Sequence, residues 1–177
     1  TFRQSSRFDP NAYAVDPENR LLWRAHRRRL TVESLRDSML HAAGTLDRTP
    51  LNSTVSYLGD QATAVGDNKN RRRTDYSNRS VYLPVIRNDL PELFQAFDFS
   101  DPHSAKGMRP DTLVPMQGLF MMNDDAVMRT AESVARRILR AESDDEQRVN
   151  LMYRLILNAE VDSAEQEELL VFVRRIE

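Results

Sequence analysis

With 177 residues the chain has material for one domain, and a chain of this size removes roughly 70% of its unfolded surface from water without covalent staples. Hydrophobic residues make up 40% and charged residues 29%, the ordinary proportions of a globular chain. The 25 basic and 27 acidic residues leave a net charge of -2, so overall charge supplies no pull toward nucleic acid or an anionic membrane. The absence of Cys excludes disulfides, thiolate metal sites, Cys nucleophiles and covalent haem attachment within this chain.

Apolar periodicity predicts a mainly α fold. The expectation is a bundle of about six to seven helices with a long irregular middle segment and little or no β. Residues 1–15 are expected to be a flexible lead-in and 16–177 a single helical domain. No signal peptide is legible at Thr1, and the polar opening without Met reads as a piece of a longer protein. No apolar run approaches the roughly 20 residues needed to cross a bilayer. The longest, Leu113 to Met122 and Leu169 to Val173, read as buried helix faces.

The first predicted unit, 16–44, is a helical hairpin. Asp16 is a good N-cap and Pro17 suits the first helical position, where its missing N–H would have no partner. Leu21, Leu22, Ala25 and Leu30 supply an apolar side, with Trp23 beside them. Thr31 caps a second helix, in which Val32, Leu35, Met39 and Ala42 recur at helical spacing, and Gly44 stops it.

The stretch 45–111 is polar and lacks a sustained period. Loops longer than about 15 residues are unusual in compact domains. Ser80 to Ile86 has strand-like composition, but Pro84 demotes it to an edge or extended segment. Leu90, Leu93, Phe94 and Phe97 predict a short helix begun near Asp89 and Pro91, followed by loop from Asp98 to Pro110.

The region 112–177 is predicted as a helical bundle. Pro115 starts a short helix carrying Met116, Leu119 and Phe120, and Met116, Met121 and Met122 read as pliable core packing. Asn123 caps the next helix, with Val127, Ala131, Val134, Ala135, Ile138 and Leu139 on its apolar side. Ser143 with Glu146, and Ser163 with Gln166, match capping boxes. Their stripes are Val149, Met152, Tyr153 and Ile156, then Leu169, Phe172, Val173 and Ile176. Short connections imply antiparallel neighbours.

Arg24, Arg27, Arg28 and Arg29 are the first group with chemical potential. On a helix, Arg24 and Arg28 share a face and Arg20 extends it, a stripe suited to phosphate, sulfate or carboxylate. A solvated face, or pairing with Glu33, Asp37 and other acids, explains the same residues. The run Lys69 to Arg73 has only Tyr76 as a nearby aromatic, too little for base stacking, so nucleic acid is not expected. His26, His41 and His103 show no metal-ligand spacing. A metal site assembled from His103, Asp98 and Asp101 is conceivable, and nothing demands it.

Asp98, Asp101 and Asp111 fall in one loop region and Asp124 and Asp125 head a helix. Acid–base glycoside chemistry uses paired carboxylates, but turns and caps account for all five. No nucleophile elbow, phosphate loop or dinucleotide fingerprint is present, and only 5 Gly are available. The sequons Asn52-Ser53-Thr54 and Asn78-Arg79-Ser80 are short enough to arise by chance.

Four blocks carry a family resemblance. Asp16 to Asp47 (DPENRLLWRAHRRRLTVESLRDSMLHAAGTLD) resembles the family known as domain of unknown function 1553, a carboxy-terminal module of large planctomycete proteins that often carry a cytochrome c-like domain. Asn78 to Pro102, Thr112 to Asn123, and the closing helices with Arg148 to Leu157 agree in order and spacing. His26 stands where an Asn is expected, and Asn158-Ala159-Glu160 replaces a Gly-Arg-Pro-like turn. The resemblance implies an exported, extracytoplasmic multidomain parent whose haem, if any, lies outside this chain; it carries over no catalytic residue.

The leading expectation is therefore a non-catalytic interaction or structural module. It packs against other domains of its parent through the middle region, with no cofactor of its own and no membrane insertion. The alternative is an enzyme or binding domain acting on anionic polysaccharide, with Arg24, Arg28, Arg36, Arg73 and Arg87 as anion contacts and Asp98 or Asp101 as acids. A redox partner of a neighbouring haem domain is a third reading, and it needs ligation this chain lacks.

Overall fold

The structure, a computed structural model, describes residues 3–50, 76–83, 85, 90–105, 107–109 and 112–176. Among these residues there are seven α-helices and one 3-10 turn, with no strand; an isolated parallel bridge joins Asp47 to Asn78. The fold is mainly α, as the periodicity predicts. The helices are α1 (Pro10–Val15), α2 (Val32–Ala43), α3 (Glu92–Ala96), α4 (Pro115–Asn123), α5 (Asp125–Ala141), α6 (Asp145–Leu157) and α7 (Ser163–Ile176), with the 3-10 turn at Ser80–Tyr82. The chain divides into two compact units, Thr1–Leu30 and Thr31–Glu177.

The first unit departs from the predicted hairpin. Residues 16–30 are turns and irregular backbone, and the helix lies earlier, at α1 within the expected lead-in. The sequence contains two Asp-Pro starts, and the first one is used. Asp9 caps α1 by accepting from the amides of Asn11 at 2.8 Å and Ala12 at 3.3 Å, with Pro10 at the first position.

Asp16 does the work of a turn instead. Its carboxylate accepts from the amides of Arg20 at 3.0 Å and Leu21 at 2.7 Å, and its carbonyl accepts from the Trp23 indole at 2.8 Å. Asn19 sits at φ 56 and exchanges two bonds with the Arg24 backbone, at 2.8 and 3.1 Å. Such side-chain bonds offer the backbone an alternative to helix, and here the alternative wins.

In the second unit α2 is the hub, packing against α3, α5, α6 and the 3-10 turn. Its ends match expectation. Thr31 Oγ1 accepts from the Ser34 amide at 3.3 Å, and Gly44 closes the helix at φ 74, a conformation open to glycine at no steric cost. The last carbonyls find a partner from another helix. Arg137 of α5 donates to the carbonyls of His41 at 2.9 Å and Ala42 at 2.8 Å, satisfying groups a helix end would otherwise leave open.

Two apolar clusters flank α2. Val32, Leu83, Leu93 and Phe94 form one, with Tyr76, Phe97, Phe99 and Phe120 against it. Ala42, Ala43, Val134 and Ile138 form the other, with Leu151, Met152 and Leu155. The α6–α7 and α5–α6 pairs pack as the short connections imply.

Several local expectations shift. Ser80–Tyr82 is a 3-10 turn rather than an extended segment, because the Tyr82 amide donates to Arg79 and the Leu83 amide to Ser80. Asp124, not Asn123, caps α5, and Asp144, not Ser143, caps α6. In α7 the Gln166 amide reaches back to the Asp162 carbonyl and its side chain to Glu146, so Ser163 is already helical. In each case a neighbouring Asp or Asn competes for one cap, and sequence spacing does not rank them.

The runs read as buried faces are also corrected. Leu113, Met116, Leu119 and Met122 are exposed, as are Val171 and Phe172, while Gln117 and Leu170 are buried. Ala131, Ala135, Leu139 and Ile156 are exposed too.

Candidate functional site

A dense polar arrangement lies where residues 76–80 meet α2. Arg36 and Asp37 are consecutive on that helix, and Arg36 is only 3% exposed. Its guanidinium donates to the Asn78 carbonyl at 2.8 Å, to Ser80 Oγ at 3.2 Å and to the Tyr76 carbonyl. Asp37 accepts from the Ser80 amide at 2.7 Å and from Arg79 Nε at 3.5 Å. One side chain holds carbonyls and its neighbour holds an amide, so residues 76–80 are gripped through both kinds of backbone group.

A second pair closes the other end of the stretch. The Asp47 amide donates to the Ser77 carbonyl at 2.8 Å, and Asn78 Nδ2 donates to Asp47 Oδ2 at 3.1 Å. Asp47 also accepts from the Thr49 amide at 2.8 Å. The chain thus leaves at Asp47 and returns at Asn78 through one paired point. Joining two points far apart in sequence carries a closure cost that grows slowly with their separation, and these bonds offset it.

Electrostatics follow from the geometry. Burial lowers the Arg36 pKa to about 10, and the nearby Asp37 charge, 3.9 Å away, works in the opposite direction. Arg36 is still cationic at neutral pH, and planar guanidinium suits a site that presents several oxygens at once. The bonds to Thr49, side chain first and then amide, hold the Asp47 carboxyl below its usual range, and Asn78 adds to this.

Of the other predicted site residues that the structure describes, Arg24, Asp98 and Asp101 make contacts of their own. Arg24 stacks on Trp23 and Phe8, with its guanidinium carbon 4.8 and 5.6 Å from the ring centroids, and Arg28 is exposed. The helical face that was to unite them is absent, since 16–30 is not helix. Arg73 and Arg87 lie outside the described residues, as do Asp111, Lys69 and Asn52. Asp98, at φ 55, accepts from the Thr112 amide at 2.9 Å and from its hydroxyl, and Asp101 accepts from the His103 amide and the Ser104 hydroxyl, both at 2.9 Å. Both acids organise loops. Among the described residues no group of three His, Asp or Glu stands close enough to hold a metal ion.

A cleft of about 350 Å³ opens between α3 and the α4–α5 junction, lined by Glu92, Leu93, Phe120, Asn123, Asp124, Asp125, Ala126 and Arg129. Its helix end is already filled: Asp124 accepts from the amides of Ala126 at 3.0 Å and Val127 at 3.1 Å. Of the predicted anion contacts among the described residues, Arg24, Arg28 and Arg36, none lines it. Sequence reasoning missed Asn78 and Ser80, and passed over Asn78-Arg79-Ser80 as a chance sequon. All three residues serve the grip, and Asn78 is buried. The signal, an Arg-Asp pair on a helix facing a polar stretch, gave no hint of its partner 42 positions away.

The family model described as "PSD1: Protein of unknown function (DUF1553)" matches residues 1–173. The chain belongs to the DUF1553 family. That match covers nearly the whole chain, including the first unit, all but the last four residues of the second, and the Arg36 grip. No curated protein and no solved structure matches the chain. As described, the family has no assigned function, so function rests on the chemistry of the chain itself. Among the described residues, no helix is long and apolar enough to cross a membrane.

Proposed function

We propose that the chain is a non-catalytic interaction module of a larger extracytoplasmic multidomain protein, and that the stretch between Asp47 and Asn78 is its contact element. The observation that carries this reading is the grip itself. A buried arginine and its neighbouring aspartate are devoted to fixing where that stretch returns, and Asn78, held by that arginine, bonds to Asp47 where it leaves. A buried guanidinium costs several kcal/mol in lost hydration unless its donors are matched, so its use for fixing a polar stretch argues that the stretch matters. The many exposed large hydrophobics, such as Leu119, Met122, Val171 and Phe172, also favour a chain with surfaces to cover.

The anionic-polysaccharide reading loses support at Arg36, whose donors point into the chain's own carbonyls. The experiment is to replace residues 51–75 with a short Gly/Ser linker and to titrate the chain against the remainder of its parent protein by calorimetry. The module reading expects the helical fold to survive and the association to be lost. Unchanged association, or turnover of a polysaccharide by the unaltered chain, would replace it.

A further inference from the structure

The whole-chain balance conceals a segregation of charge. Residues 1–30 carry seven Arg against three carboxylates, while residues 31–177 carry 18 basic and 24 acidic side chains. From Pro17 to Leu30 there are five Arg and only Glu18 to oppose them. Among its described residues this unit shows no apolar interior. The only buried ones there are polar, Asp16 and Asn19, while Leu21 is 79% and Leu22 45% exposed.

The leucine pair is held out by design of the backbone. The Leu21 amide is fixed by Asp16 at 2.7 Å, the Leu22 amide donates to the Asn19 carbonyl at 3.2 Å, and the Leu22 carbonyl accepts from Gln4. Leu22 has φ 57, a conformation a branched side chain adopts only when its surroundings impose it. The polar scaffold therefore presents two leucines next to Arg20, ahead of the exposed Arg27, Arg28 and Arg29.

We propose that Arg20–Leu30 is a docking site for an anionic lipid surface, with Leu21 and Leu22 entering the headgroup boundary and Arg20, Arg27, Arg28 and Arg29 engaging lipid phosphates. Charge complementarity selects the anionic partner, and guanidinium binds phosphate through paired donors. The leucines select lipid over a soluble polyanion, because a polyanion gives them nothing to bury against. A lipid surface accepts apolar and basic side chains without a matching shape, which suits a unit whose described residues bury no apolar side chain. This inference does not depend on the contact role given to the Asp47–Asn78 stretch.

The test uses the full chain with phosphatidylcholine vesicles and with vesicles of equal parts phosphatidylcholine and phosphatidylglycerol, read by sedimentation and Trp23 fluorescence. Trp23 is the sole Trp and adjoins the leucine pair. The expected result is binding to the anionic vesicles alone, weakened by salt, with Trp23 quenched by brominated lipid. Leu21→Ser combined with Leu22→Asn should weaken binding roughly tenfold, and changing Arg27, Arg28 and Arg29 to Ser should abolish it. Equal binding to both vesicle types, or none, overturns the proposal. So does wild-type affinity in the leucine variant together with full competition by heparin, which would make this a polyanion site. Should a variant unfold, the quenching of Trp23 in the unaltered chain still decides, and its absence overturns the proposal.

Discussion

The Arg36 guanidinium donates to the Asn78 carbonyl at 2.8 Å across 42 positions of sequence. This bond and its companions to Tyr76 and Ser80 tie α2 to residues 76–80. Replacing Arg36 with Met removes the donors and leaves buried carbonyls open. The expected cost is about 3–5 kcal/mol, read as a fall in the urea midpoint. Arg36→Lys should recover only part of it, because an ammonium does not span several oxygens with one plane.

The closing pair at Asp47 gives the fold a pH dependence. Its folded pKa is below the usual 3.8, held there mainly by Thr49. A depressed carboxyl contributes stability that is fully present above its unfolded pKa and is lost as pH falls through the folded value. Stability should therefore drop below about pH 4, and Asp47→Asn should lower neutral-pH stability while flattening that part of the profile. Denaturant melts of both chains between neutral and acid pH check this.

Helix starts and stops were partly legible in the sequence. Thr31, Gly44 and Pro115 each do what their chemistry predicts. The caps of α5 and α6 fell one residue away, since Asn123 beside Asp124 and Ser143 beside Asp144 are equivalent on paper. The first helix was misplaced for a sharper reason. Asp9-Pro10 and Asp16-Pro17 are the same signature, and only the bonds Asp16 makes to Arg20, Leu21 and Trp23 show that it builds a turn. Arg36 was recognisable as a residue of interest, but its partners were not. Residues 76–80 follow no period, and a carbonyl acceptor leaves no mark in composition. Apolar spacing likewise located α4 and α7 but pointed to the wrong side in part, since Met116, Leu119 and Phe172 are exposed while Gln117 and Leu170 are buried.

The end of α2 depends on its own cap, Gly44, and on Arg137 of α5. Gly44→Ala places a methyl 3.5 Å from the Arg137 side chain, an ordinary contact, so the cost comes from the backbone at φ 74. It should be about 1 kcal/mol. Arg137→Ala frees the His41 and Ala42 carbonyls and should cost on the order of 1–2 kcal/mol. Because Arg137 lies beside Gly44, the two changes should be non-additive in a double-mutant cycle.

Asp16→Ala should loosen the first unit and leave the second intact. The variant loses the acceptors of the Arg20 and Leu21 amides, a local effect of roughly 1–3 kcal/mol. Trp23 fluorescence should shift to the red as its indole gains water, with the far-ultraviolet helical signal nearly unchanged.

Amide hydrogen exchange at Asp47 and Ser80 tests most directly whether the Arg36 grip holds the two ends of the stretch together. Both amides make the bonds described, to Ser77 and to Asp37. In the unaltered chain they should exchange slowly, and in Arg36→Met their protection should fall by about a hundredfold or more while amides within α5 and α6 keep theirs. Fast exchange at both positions in the unaltered chain, or protection that survives the substitution, would contradict the account.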